Sequence, residues 1–66
     1  MVILVNGVQR ELAAGCSAAQ LLEQLDLTGK RLALEVNMEI VPRSQYAVHC
    51  LKEGDRVEVV HAIGGG

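Results

Sequence analysis

The sequence predicts an α+β roll: a mixed sheet of about five strands, one helix packed on one face, and a glycine tail. Three observations predict it. Short runs of alternating apolar and polar residues lie on both sides of a single apolar stripe at helical spacing. Turn signals separate these runs at every junction. Half of the 66 residues are apolar while Tyr46 is the only aromatic, so one aliphatic core is expected. A chain of this length buries only about 60% of its unfolded surface, so that core must be fully used.

The first strand is Val2 to Val5, where Ile3 and Val5 alternate with Val2 and Leu4. Asn6-Gly7 follows, the strongest short hairpin signal, because both central positions of a type I′ turn need positive φ. Val8 to Ala13 reads as the return strand, broken by Ala14-Gly15. Ser17 is an N-cap, and Gln20 three residues on completes a capping box. Ala18, Leu21, Leu22 and Leu25 then fall at i, i+3, i+4 and i+7, which predicts a helix from Ala18 to Leu25 or Asp26. Thr28-Gly29-Lys30 ends that unit.

Leu32, Leu34 and Val36 alternate with Ala33, Glu35 and Asn37, the period of a half-buried strand. Asn37-Met38 is a turn candidate, and Glu39-Ile40-Val41 a short strand stopped by Pro42, which has no N–H for a ladder. Arg43 to Leu51 is ambiguous, a turn or short helix around Ser44-Gln45-Tyr46 and then an extended piece. Glu53-Gly54-Asp55 is a turn, and Arg56 to Ala62 the final strand, with Val57, Val59 and His61 inward. The order β-β-α-β-β-β, with right-handed crossovers, places the first and last strands parallel at the centre of the sheet. That arrangement is a β-grasp. Residues 1–63 form the domain and 64–66 the tail.

Composition excludes several functions. Six basic and eight acidic residues are scattered along the chain for a net charge of −2, with no basic patch, which argues against nucleic-acid binding. No apolar stretch approaches the ~20 residues of a membrane span. The amino end lacks the pattern of a signal peptide, so a cytoplasmic protein is expected. In a reducing compartment Cys16 and Cys50 read as small hydrophobes rather than a disulfide, Cys50 in the core or half-buried. Cys16, just before the helix, reads as a turn filler rather than an activated thiol. His49 and His61 form no zinc pattern, and His61 is expected to be partly buried. No catalytic set or phosphate loop is visible, so no enzyme activity is expected of the chain alone. Val2 and Leu4 from the first strand and Val60 and Ala62 from the last point away from the helix, a candidate partner-binding strip on the open face. Glu53, Asp55 and Glu58 are solvated or face a basic partner.

The carboxyl end, Ile63-Gly64-Gly65-Gly66, gives a thin arm without side chains that adds nothing to a fold. With the opening Ile3-Leu4-Val5-Asn6-Gly7, the helix Leu21-Leu22-Glu23-Gln24-Leu25, the segment from Val36 through Pro42-Arg43 and the turn Glu53-Gly54-Asp55, it resembles the ThiS-type sulfur carriers of thiamine biosynthesis, which are ubiquitin-like β-grasp proteins. The resemblance covers nearly the whole chain. Two features depart from the family pattern: a third glycine, Gly64, precedes the usual pair, and His61-Ala62 leaves the tail without the basic residues that precede Gly-Gly in ubiquitin.

The resemblance implies a chemistry. A ThiF-type adenylating enzyme uses ATP and magnesium to form an acyl-adenylate on Gly66. A sulfur donor supplied by a cysteine desulfurase displaces AMP to leave a thiocarboxylate. A ThiG-type thiazole synthase takes the sulfur into the thiazole ring of thiamine. Gly64 and Gly65 thread the tail into the partner sites, and this chain binds no cofactor or metal of its own. Two other readings are a small subunit of the molybdopterin-synthase type, which this Phe-free sequence matches less well, and a ubiquitin-like modifier or binding module.

Overall fold

The computed structural model describes residues 1–61. The last residue of the expected final strand, Ala62, the domain boundary after residue 63 and the tail 64–66 lie outside the described residues. Five strands, β1 (Val2–Val5), β2 (Val8–Glu11), β3 (Leu32–Val36), β4 (Glu39–Val41) and β5 (Arg56–His61), surround one helix, α1 (Ala18–Gln24). They form one sheet in the order β2-β1-β5-β3-β4. β5 lies parallel to β1 and antiparallel to β3, and both outer pairs are antiparallel hairpins. The expected central parallel pair is present, and the fold is the β-grasp.

Both hairpins turn on an asparagine. Asn6 and Gly7 have φ of 50° and 81°, and Asn37 and Met38 have 53° and 71°. These are the positive values of a type I′ turn, whose twist matches that of the flanking strands. Gly7 has open space where a Cβ would stand, so only its backbone angle requires glycine. Met38 holds the same angle with a side chain that is 83% exposed.

The helix is short and held at both ends. Ser17 Oγ accepts from the Gln20 N–H at 3.1 Å, and Gln20 Oε1 accepts from the Ser17 N–H at 2.8 Å, the expected capping box. The two remaining first-turn donors go to distant carbonyls: the Ala18 N–H to His49 at 2.9 Å and the Ala19 N–H to Tyr46 at 2.9 Å. Helix N-termini leave such donors without intrahelical partners, so the segment 43–51 has a structural task. It forms a 3₁₀ turn at Arg43–Gln45 and then an isolated antiparallel bridge between Cys50 and Ser17. At the other end Leu27 N–H reaches Leu22 O at 2.8 Å and Asp26 N–H reaches Glu23 O at 3.0 Å, the two bonds of a Schellman motif. Asp26, with φ of 61°, takes the left-handed position usually given to glycine. The helix therefore stops at Gln24, one or two residues earlier than the apolar stripe suggested.

One face of the sheet meets α1. Ile3, Leu21, Leu34 and Val57 are at most 1% exposed and form the centre of the core, with Val5, Leu12, Ala18, Leu22, Val36, Val41, Leu51 and Val59 around them. Truncating Leu21 or Leu34 to alanine is expected to cost about 2–5 kcal/mol. A finer test concerns the turns. Gly7→Ala meets no steric contact, so its cost is that of a left-handed alanine, about 1–2 kcal/mol. Met38→Gly removes a similar cost, offset by about 0.5–1 kcal/mol of glycine freedom in the unfolded chain. In urea titrations Gly7→Ala is expected to lower the midpoint, whereas Met38→Gly leaves it unchanged or raises it.

Candidate functional site

The part of the expected site within the described residues is the partner-binding face, the side of the sheet turned away from α1; Ala62 and the glycines 64–66 lie outside them. Cross-strand register fixes which side chains share that face. Leu4 is level with Gln9 on β2 and Arg56 on β5, Glu35 is opposite Glu58 and level with Ile40, and Ala33 is opposite Val60. Val2 and Leu4 are half-buried, while Val60 is 57% exposed. All three point away from the helix as expected, but the register does not place them side by side. Leu4 pairs with Arg56, so Val60 stands four residues further along β5, about 13 Å away at a strand rise of ~3.3 Å per residue. Glu58 lies between them, and beside it β1 has already turned away at Asn6-Gly7. The apolar surface is thus in two parts, Val2 with Leu4 and Val60 with Ala33, and Ile40, 71% exposed, adds a third at the far edge. Ala33 and Ile40 were missed as face residues, although the alternation of Ala33 with Leu32 and Leu34, and of Ile40 with Val41, carries the signal.

Glu35 and Glu58 face each other directly across β3 and β5 on this open face. Like charges in that position are unfavourable within the free protein. The other acidic residues singled out by the sequence have structural partners. Asp55 is buried, and its carboxylate accepts from Asn37 Nδ2 at 2.9 Å and from the Lys52 N–H at 2.8 Å. Glu53 Oε1 accepts from the Val2 N–H at 3.0 Å. Glu58 alone of the three remains exposed without such a bond among the described residues.

β5 is clasped by both turn asparagines. At its start the Arg56 N–H donates to Asn37 Oδ1 at 2.9 Å, and the Asn37 N–H donates to Arg56 O at 2.7 Å. Near its end the Val59 N–H donates to Asn6 Oδ1 at 2.8 Å, while Asn6 Nδ2 donates to Val59 O at 3.2 Å. Neither asparagine was expected to do more than form its turn.

Two expectations require correction. His61 follows the inward parity of Val57 and Val59, but it is exposed rather than partly buried. It pairs with Leu32 at the end of the sheet, where the seven-residue helix does not cover it. Cys50 is exposed rather than in the core or half-buried. Its backbone bridges to Ser17 while the next residue, Leu51, fills the core. Cys16 is buried, and desolvation pushes its thiol above the ordinary value, so the position before the helix does not activate it. Among the described residues no group of three His, Cys, Asp or Glu side chains is placed to hold a metal, and no helix is long and apolar enough to cross a membrane.

Comparison with known proteins bears on this arrangement. The model of the ThiS family matches residues 3–66. The chain belongs to the ThiS family. It is 42% identical to the sulfur carrier protein ThiS of Escherichia coli (strain K12) over 66 residues, the full length of both. It is 39% identical over 66 residues to a thiazole synthase of Paramagnetospirillum magneticum, matching all of this chain but spanning only 20% of that protein. The crystal structure of the thiamine biosynthesis protein ThiS from Geobacter metallireducens superposes with a TM-score of 0.86 at 29% identity, covering both chains completely. Membership places this chain among the sulfur carrier proteins of thiamine biosynthesis, with their ubiquitin-like fold.

The cysteines give a direct check on the local geometry. A thiolate-directed alkylating reagent is expected to modify Cys50 in the folded protein and to reach Cys16 only after unfolding, as read by peptide mass mapping. Equal rates at both positions in the native state would contradict the burial of Cys16.

Proposed function

We propose that Gly66 carries the sulfur. Its carboxylate is ionised at neutral pH and is a poor electrophile, so it needs activation before sulfur can enter. A ThiF-type partner supplies this with ATP and magnesium: the carboxylate attacks the α-phosphorus, pyrophosphate leaves, and an acyl-adenylate forms. A persulfide sulfur supplied through a cysteine desulfurase then displaces AMP to form an acyl disulfide, and a thiol cleaves its S–S bond, leaving the thiocarboxylate and a new disulfide on the thiol side. A ThiG-type thiazole synthase consumes the thiocarboxylate. This chain is the covalent co-substrate of these steps and performs none of them as an enzyme.

The observation that carries the reading is the family match, which runs from Ile3 through Gly66 and so takes in the glycines that follow β5 in the sequence. The partner assignment draws support from the thiazole synthase one-fifth of whose length aligns with this whole chain, which brings a carrier-like segment and that activity into one polypeptide. Glycine suits a tail that enters narrow sites, because its backbone approaches without side-chain clashes. The open face suits docking. Leu4 and Val60 offer apolar contact, and the opposed Glu35 and Glu58 favour a partner that brings a cationic group between them.

The direct test is intact-mass analysis after incubation with the adenylating enzyme, ATP and a sulfur source. A carrier gains the mass of one oxygen-for-sulfur exchange. A modifier appears joined to a lysine of another chain, and a binding module keeps its mass; either result sinks the proposal. Gly65→Ala and Gly66→Ala are expected to impair adenylation while leaving the urea midpoint unchanged. Val60→Asp or Leu4→Asp is expected to weaken affinity for the adenylating enzyme by about tenfold or more, the size of one lost interface contact. Unchanged affinity in a titration of the folded variants would remove the open face from the docking surface.

A further inference from the structure

β1 and β5 form parallel rungs in a regular series. The Leu4 N–H donates to Asp55 O at 3.0 Å and the Asn6 N–H to Val57 O at 2.9 Å. The next residue in this series is Val59. Its N–H and C=O face the place where a continued β1 would lie, but β1 ends at Val5 and the chain reverses through Asn6-Gly7. Backbone groups of a residue only 7% exposed need partners. The Asn6 carboxamide supplies both, accepting from Val59 N–H and donating to Val59 O. A primary amide has the donor and acceptor geometry of a peptide group, so one side chain adds one further rung to the ladder. That rung lies two residues before the end of β5 and immediately precedes the segment that leads to the glycines.

We infer that Asn6 is a positioning residue that fixes the base of the tail, so that the direction in which the chain leaves the sheet is set before it enters a partner's active site. The inference rests on the proposed chemistry at Gly66. It adds a separate requirement, that β5 be held at Val59 from the β1 side, in addition to its pairing with β3. Asn37 provides a contrast within the same molecule. It also clasps β5 from a left-handed turn, but at Arg56, the opposite end of the strand. Loss of either clasp removes side-chain hydrogen bonds to β5 or its entry turn, yet only loss of the Asn6 clasp leaves the end of β5 held from the β3 side alone.

Asn6→Gly keeps the turn, since glycine accepts positive φ at both central positions, and deletes the carboxamide. Asn37→Gly does the same at the other end. Asn6→Asp retains the turn and the acceptor for the Val59 N–H, but replaces the donor with an oxygen facing the Val59 carbonyl. Each is assayed with the adenylating enzyme for kcat and for KM of the carrier, and amide hydrogen exchange of Val59 is followed in the free protein. A misplaced reacting group costs turnover, whereas the docking face sets binding. Asn6→Gly is therefore expected to lower kcat by about 10- to 100-fold with KM nearly unchanged. Asn6→Asp is expected to lose kcat in the same direction, and Asn37→Gly to keep it. Val59 exchange should accelerate in Asn6→Gly and not in Asn37→Gly.

Normal kcat in Asn6→Gly with accelerated Val59 exchange would overturn the inference. So would unaltered Val59 exchange in Asn6→Gly, or equal losses of kcat in Asn6→Gly and Asn37→Gly, which would mean a general effect of stability. A wild-type chain that is not adenylated would instead overturn the chemistry proposed for Gly66, and the inference with it.

Discussion

The parallel pairing of β1 with β5 is the constraint on which the rest of the molecule depends. It joins strands more than fifty residues apart in sequence, so its loop-closure cost is met only when the helix and the intervening hairpin are also in place. β5 then has β1 on one side and β3 on the other, and its inward residues Val57 and Val59 sit beneath α1. Each end of the strand also receives a side-chain carboxamide from a type I′ turn. The strand nearest the glycines is therefore held from both edges and from one face. The chemistry proposed for Gly66 would draw on such a base, because freedom where the chain leaves a strand multiplies the positions that later residues explore.

The helix depends on the same economy. Seven residues make too short a helix to persist alone. Its first-turn donors are met by Ser17 and by the carbonyls of Tyr46 and His49, and its last turn closes through Asp26 and Leu27. The irregular stretch between β4 and β5 is thus part of the helix cap as well as a connection. With no aromatic residue in the buried core, the small aliphatic side chains require this close fit between backbone elements.

Much of this was legible in the sequence. Asn6-Gly7, the Ser17 and Gln20 pair and the alternation in each strand give the element order, and the order gives the central parallel pair. The limits have physical causes. Asp26 ends the helix because an aspartate can take a left-handed cap without the glycine that marks most such ends. Register cannot be read from one strand at a time, so the separation of Leu4 from Val60 by Glu58 emerged only from the paired strands. The clasp at Val59 was hidden because Asn6 is fully explained by its turn until its side chain is located. Exposure of His61 and Cys50 depends on how far a short helix and a short connection reach over the sheet, which periodicity does not contain.

On the proposed chemistry, the domain contributes position rather than reactivity. The anchored β5, the open face with opposed carboxylates and the family match through Gly66 are the features on which that proposal rests. Pairing on both edges makes β5 the rigid centre of the molecule. Native-state amide hydrogen exchange tests it most directly. Val57 and Val59 are predicted to exchange only through global unfolding, with free energies equal to that from urea denaturation and above those of β2 and β4. Exchange of Val59 through a local opening well below the global value would show that the base of the tail is loose and would contradict the account.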